Sequence, residues 1–517
     1  YNYYMKARKK TILLCTALPL LFTCFYVFLC CLNLRSSIWF DESYSAYLVR
    51  GDFGQIWAET AQDVHPPLFY FLLKIWSNIF GNTDFAMRFM SVFFGAVSII
   101  LAFHLLKRWF GVKTAAVATA LLSLSPFLIR YGQEMRMYTL IFAIVLGATY
   151  ALDLALETRK KRYYIIYAIL VALGMWTHYF TALAWLAHVI YLTAVKKINI
   201  FKKPWLWTYL GAVLLFIPWI PAFLTQTATV QQGFWIPGVT FSTLPDYISE
   251  AAYFKEFSNG VDAWWALLLI VWCIIFGLVL YYNLKKTPDC EKSLTLKTAK
   301  KTIKLSASKT SNKQPARKKL LLLIILVFVP PVLLFLLSMP PLSSMFVSRY
   351  VTYSAILLFA LAGCLAMLVL KKNIKLALIF LILTLGVEAY GIVNVETREP
   401  RGYSKEIVTT IQSLSEPGEP TVLKDDGLQE YDFSFYSTEK NPIYIVDEWT
   451  DYPWGSMYPL RDYRATTIDK LSDLKADKFW VIASKDAKPT EVLDLDKYEI
   501  LTTVGNDHHL AIEYKVK

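Results

Sequence analysis

Asp41 and Glu42 stand side by side in IWFDESYSAYLV, and His65 precedes two prolines in VHPPLFYFLLKIWSNIFG. Arg88 follows in DFAMRFM, then Gln133, Glu134 and Arg136 in YGQEMRMY, His178 in THYF and Arg349 in SRYV. Each lies at the edge of a long apolar stretch, where an ionisable group is costly and marks function by default. Carboxylates can move protons in a transition state, and arginines recognise phosphate. A carboxylate pair facing a phosphate site at a membrane edge predicts transfer chemistry on a lipid-linked phosphate.

Each residue also has a plainer reading. Asp41 could cap a helix over 42–50, the commonest role of Asp before a helix. Glu42 could be a partner, a metal ligand or a solvated neighbour. His65 could fix a turn, because the residue before proline is held extended. Glu134 and Arg136 could pair with each other, and His178 could be only hydrogen-bonded at a helix junction. His104 and His188 lie inside apolar runs and read as structural, and His508-His509 reads as surface. Trp235-Ile236-Pro237 in the loop 225–262 reads as a substrate lip or an interfacial anchor. Glu42, His65, Glu134 and His178 are of types that bind a divalent metal ion, but their separation shows no metal spacing.

The elements that position these residues follow from composition. The 517 residues are 56% hydrophobic and 18% charged, with mean hydropathy +0.40. That leaves too few charges to cover a water-exposed surface, which excludes a disordered chain, a coiled coil or a purely soluble enzyme. The net charge of +13 does not indicate nucleic acid, because residues 394–517 carry −9 and residues 1–393 carry +22. A spanning helix needs about 20 apolar residues. Spans are expected near 11–34, 85–106, 114–130, 137–156, 163–178, 179–195, 205–224, 263–284, 320–338, 350–370 and 375–393. The first follows Lys6, Arg8, Lys9 and Lys10 and is too long for a signal-peptide core, so it reads as a retained anchor.

Residues 66–80 are apolar but short and contain Lys74. If they lie in the interface plane, 30 basic residues of the loops share the side of the N-terminus and eight of residues 1–393 fall elsewhere. Letting them span would move 26 of the 30 to the outside, against the positive-inside rule. They are therefore expected to form an amphipathic outer-surface helix, its Phe69, Tyr70, Phe71 and Trp76 framing a lateral opening. This topology sets Arg88, Arg136, His178 and Arg349 near outward helix N-termini, where cations oppose the dipole. A bound anion makes sense of that placement.

The Lys/Ser/Thr-rich segment 285–319 reads as a flexible basic cytoplasmic linker. Beyond Val393 the chain turns polar, with a helix expected over 403–415 and strands over 420–424, 442–446 and 478–483. Residues 394–517 are thus expected to form a small extracytoplasmic α/β domain after a membrane core over 1–393, whose first external loop spans 35–84. None of the seven cysteines lies in this tail, so no disulfide framework is implied.

In their order, IWFDESYSAYLV, VHPPLFYFLLKIWSNIFG, DFAMRFMSVFFGAVSI, LSPFLIRYGQEMRMYTL, THYF and SRYV resemble the membrane core of glycosyltransferase family 39. That family has the GT-C fold, shared with protein O-mannosyltransferases and lipid A aminoarabinose transferases. The resemblance covers roughly 11–393 and is strongest over 38–140. It implies a polytopic α-helical plasma-membrane enzyme of about eleven spans with a cytoplasmic N-terminus. The implied reaction is inverting transfer of a sugar from a polyprenyl-phosphate donor to a cell-envelope acceptor (protein, lipid or glycan) on the outer face. Asp41 takes the place of the family's catalytic aspartate, with Glu42 beside it, and His65, Pro66 and Pro67 match its HPP element. The segment from Glu134 to Tyr138 matches a second polar cluster, and SRYV adds Arg349 and Tyr350. The substrate-binding set is then His65, Arg88, Gln133, Glu134, Arg136, Tyr138, His178, Arg349 and Tyr350. The expected partners are the donor and membrane lipids, with no nucleic acid. A lipid or solute transporter is the rival, but it would place its polar site near the bilayer midplane.

Overall fold

A computed structural model describes residues 2–231, 236–256, 258, 260–286, 316–398, 403–424, 430–438, 440–446 and 466–517. Trp235, Cys290 and most of the expected linker lie outside the described residues. A helix lies at each expected span. Among the described residues, seven are long and apolar enough to cross a membrane: Asp84–Phe110, Tyr138–Thr158, Trp205–Val230, Ala263–Lys285, Ala316–Leu337, Ser348–Leu370 and Ile374–Glu396. Val112–Leu124 and Pro126–Gly132 make an eighth if counted as one span bent by 55°. The bend falls at Pro126, whose missing N–H and ring interrupt the helical ladder. Residues 15–31 and 181–195 form shorter apolar helices. The chain is a multi-pass membrane protein.

Apolar helices gain nothing by hiding from lipid, so close backbone approach must hold them together. Two glycines show this. A Cβ on Gly363 would fall 2.5 Å from Ala118 Cα, and one on Gly391 would fall 2.2 Å from the Ala252 carbonyl oxygen. One correction concerns charge. Lys319, expected in a solvated linker, is buried in the helix Ala316–Leu337 and pairs with Asp153 and Glu157. Arg108 also pairs with both acids, which neutralises them in a lipid-adjacent setting.

The short apolar segment is the helix Leu68–Phe80, preceded by helices Phe40–Leu48 and Phe53–Gln62. Asp52 caps the last of these in a reciprocal capping box with Gln55. Of the aromatics expected to frame an opening, Phe69 and Tyr70 are buried, and Trp76 Nε1 donates to the Ala86 carbonyl at 2.8 Å. The exposed apolar residues of this helix are Ile75, Ile79 and Phe80.

The polar tail builds a six-stranded sheet from β1 (Thr421–Leu423), β2 (Ile443–Val446), β3 (Thr466–Ile468), β4 (Lys478–Ser484), β5 (Tyr498–Gly505) and β6 (His509–Val516). Its order is β3-β2-β1-β4-β6-β5, with β1, β2, β3 and β4 paired in parallel and β6 antiparallel to β4 and β5. The helix Ser404–Leu414 covers one face through Ile407 and Ile411, against Leu423, Ile445, Trp480 and Ile482. Val422, Val446, Phe479, Val481 and Ile512 form the core of the other face. His509 is a correction: it is buried beside the Phe433 ring, and burial together with His508 lowers its pKa to about 4. His508 stacks on Tyr403.

Candidate active site

The helix Phe40–Leu48 starts at Trp39, which supplies no side-chain cap, so Asp41 sits in the first turn without capping it. Its carboxylate faces Arg349, with Nη1 3.6 Å from Oδ2. That Oδ2 is buried and accepts no hydrogen bond among the described residues. The Asp41 carbonyl receives Arg136 Nη1 at 3.1 Å, and the same nitrogen reaches Ser45 Oγ and Tyr70 Oη, both at 3.3 Å. Arg136 is buried, and its Nε makes no hydrogen bond among the described residues. Burial alone would lower its pKa, but Tyr70, Asp41, Tyr138 and Asp63 nearby hold it well above the ordinary value. Arg136 is a permanent cation.

A ring of aromatic and imidazole groups surrounds these charges. Tyr138 lies in the fields of Arg349, Arg136 and Asp41. His178 meets Tyr350 at 4.9 Å between ring centroids, His65 at 5.7 Å and Tyr138 at 6.4 Å. Tyr350 stacks on Phe180. The His178 Nδ1 accepts the Phe180 backbone N–H at 3.3 Å, which leaves Nε2 to carry the proton of the neutral ring. His65 Nδ1 stands 3.2 Å from Asp63 Oδ2, so the carboxylate orients the imidazole and turns Nε2 away from it. The structure thus brings together Asp41, His65, Arg136, Tyr138, His178, Arg349 and Tyr350, from five separate stretches of sequence.

Sequence reasoning missed Asp63, a buried carboxylate that holds His65 and stands beside Tyr44. Burial, then Asp63, raises the Tyr44 phenol well above its ordinary value, so it acts as a neutral hydrogen-bonding group. The signal was present as Asp-Val-His, a carboxylate two residues before the histidine. Tyr70 was noted only for its apolar ring, although its hydroxyl accepts from Arg136.

Four expected residues play other parts. Arg88 Nε and Nη2 grip Glu42 Oε1 and Oε2 at 2.7 and 2.5 Å, and both side chains are buried. Arg88 also donates to the carbonyls of Leu34, Ser36 and Ser37, which occupies its whole fork. Glu42 Oε1 takes the Met135 N–H at 2.8 Å as well. This pair ties the segment after the first helix to the helix Asp84–Phe110 and to the turn before Tyr138, and both side chains are fully engaged in doing so. Gln133 turns away from the cluster, donating to Glu396 Oε1 at 2.9 Å and accepting from Arg398 at 3.0 Å. Glu134 stands 3.3 Å from Arg130, one helical turn earlier, instead of pairing with Arg136. His188 is structural as read, held by Thr149 at 3.0 Å and Tyr167 at 3.1 Å.

No group of three His, Cys, Asp or Glu side chains among the described residues could hold a metal ion. Glu42 and Glu134 are engaged by arginines, so the four sequence candidates for a metal do not converge.

The polar tail braces this loop from its other side. Ile38 N donates to Tyr436 Oη at 2.9 Å, the Ser37 and Ser404 hydroxyls meet at 3.0 Å, and Lys405 Nζ bonds Asp84 at 2.5 Å. The helix Phe40–Leu48 is therefore held between the membrane helices and the sheet unit.

Residues 64–221 match the family described as dolichyl-phosphate-mannose-protein mannosyltransferase. The chain is 28% identical over 178 residues to the undecaprenyl phosphate-alpha-4-amino-4-deoxy-L-arabinose arabinosyl transferase of Photorhabdus laumondii. It is 29% identical over 176 residues to the protein of that name from Yersinia enterocolitica. These matches span 32% of this chain and 32% and 30% of those relatives, about a third of their length. The fold resembles that of ArnT from Cupriavidus metallidurans in the apo state, with TM-score 0.59, 14% identity and 98% of each chain covered. The same protein bound to undecaprenyl phosphate gives TM-score 0.56 at 12% identity, again with 98% of each chain covered.

Proposed function

Because the chain has the membrane fold of GT-C glycosyltransferases, we propose that it moves a sugar from a polyprenyl-phosphate donor to a cell-envelope acceptor on the outer membrane face. The observation that carries this reading is the geometry at Asp41. A buried carboxylate oxygen without a hydrogen bond faces Arg349, and Arg136 lies against the same helix turn. Undecaprenyl phosphate, bound by a protein of the same fold, supports the donor class.

The step is a single displacement. The acceptor hydroxyl gives its proton to Asp41 while its oxygen bonds to the anomeric carbon. The bond from that carbon to the phosphate oxygen breaks, its electron pair leaving with polyprenyl phosphate and inverting the anomeric centre. General-base help of this kind is worth about 10²–10⁴-fold. Arg136, which is buried, and Arg349, which is half-buried, receive the charge that builds on the phosphate, and their partial removal from water strengthens the attraction. His65, His178, Tyr138 and Tyr350 shape the polar wall around the sugar and phosphate.

Donor binding tests the phosphate assignment. Arg136→Gln and Arg349→Gln are each expected to weaken binding of polyprenyl-phosphate monosaccharide by about tenfold or more in detergent, the loss of one charge-assisted contact. Turnover falls with it. Unchanged affinity in both variants would remove these arginines from the donor site.

The outer-face assignment rests on the basic loops and is tested by labelling. In a background without native cysteines, Thr240→Cys and Lys485→Cys are expected to react with an impermeant thiol reagent on intact cells. Lys300→Cys should react only after permeabilisation. Labelling of position 300 on intact cells would reverse the topology.

A further inference from the structure

We infer that the chain carries a second anion site, distinct from the Asp41 cluster, that holds the phosphate headgroup of an anionic membrane lipid at the face bearing the basic loops. A cavity of about 590 Å³ opens there, lined by Arg159, Lys196, Lys202, Lys203, Tyr164 and Trp205 among others, with no acidic side chain in its wall among the described residues. That volume suits a lipid headgroup.

Three observations build the site. The acids closest in sequence, Asp153 and Glu157, are taken up by Arg108 and Lys319, and Glu157 offsets the charge of Lys196 only in part. Two elements aim those bases inward. Arg159 ends the helix Tyr138–Thr158 in the left-handed conformation (φ 55°), and Lys196, Lys202 and Lys203 come from the turn before Trp205. The floor is aromatic: Tyr164 and Trp205 meet edge to face at 5.0 Å, with Trp205 buried. Four like charges around one hollow repel each other, and a bound phosphate relieves that repulsion. Burial and, to a smaller extent, Lys318 bring the Lys196 ammonium down to about 8, against an opposing pull from Glu157.

The choice of a lipid over a soluble phosphate rests on the rim. Phe201, Trp207, Leu210 and Leu214 are exposed apolar side chains on or leading into the helix read as membrane-spanning that starts at Trp205, a residue of the cavity wall. They would lie along acyl chains whose headgroup sits among the lysines. Basic pockets between spanning helices bind anionic headgroups in this way.

The test uses the purified full chain in detergent with phosphatidylglycerol, phosphatidylcholine and inorganic phosphate as probes, read by native mass spectrometry. Phosphatidylglycerol is expected to bind in preference to phosphatidylcholine. Replacing Lys196, Lys202 and Lys203 together with Gln is expected to weaken its binding about tenfold or more, since each surface cation contributes roughly 1 kcal/mol. If the triple variant does not fold, Arg159→Gln alone is expected to weaken binding about fivefold. Millimolar inorganic phosphate that displaces the lipid would keep the anion site but overturn its assignment to a headgroup. Equal phosphatidylglycerol binding by wild type and a folded variant would overturn the site.

Discussion

Asp41→Asn is expected to lower sugar transfer by at least about 100-fold, the lower range for a lost general base, with donor binding largely retained. Asparagine matches the aspartate in shape but takes up no proton. The side chain caps nothing, and its charged neighbour is Arg349 at 3.6 Å, so the substitution leaves the helix start and the loop intact. An Asp41→Glu variant is expected to recover part of the rate, because it restores basicity at a displaced position. The two readouts separate base from scaffold: transfer collapses, while thermal stability in detergent stays near wild type. Near-normal transfer by Asp41→Asn would remove the proposed mechanism.

Glu42→Gln is expected to act on stability. Removing one partner of a buried ion pair leaves an uncompensated charge and costs about 3–5 kcal/mol. Here the stranded group is Arg88, buried beneath the loop that carries Asp41. The variant is expected to melt well below wild type and to express poorly. Its folded fraction should transfer sugar within about tenfold of wild type, far above the residual rate of a protein without its base. A Glu42→Gln protein of normal stability and no activity, beside an active Asp41→Asn protein, would make Glu42 the base.

The spans were legible because a 3.6-residue helix must satisfy its backbone internally in lipid, which demands long apolar runs. The break at Pro126 was not, since apolar sequence continues through it and only the proline marks it. The sheet unit was half legible. The parallel strands Thr421–Leu423, Ile443–Val446 and Lys478–Ser484 are short apolar runs, but Tyr498–Gly505 is an edge strand whose residues alternate between half-buried and exposed, and it carries no such run. At the site, charge type located the residues but could not assign partners. Arg88 and Arg136 look alike in sequence, as carriers of positive charge at outward helix starts. The fold gives one to Glu42 and leaves the other beside Asp41. Asp-Val-His sets Asp63 two residues before His65, but its burial against that ring is visible only in the fold.

The most direct measurement incubates the purified chain with polyprenyl-phosphate monosaccharides radiolabelled in the sugar, together with membrane extract. Free polyprenyl phosphate and the label on the acceptor are quantified together. Equal release of polyprenyl phosphate and gain of acceptor label, abolished in Asp41→Asn, is the result expected here. Donor that binds the chain yet releases no more polyprenyl phosphate than the Asp41→Asn protein would contradict a glycosyltransferase.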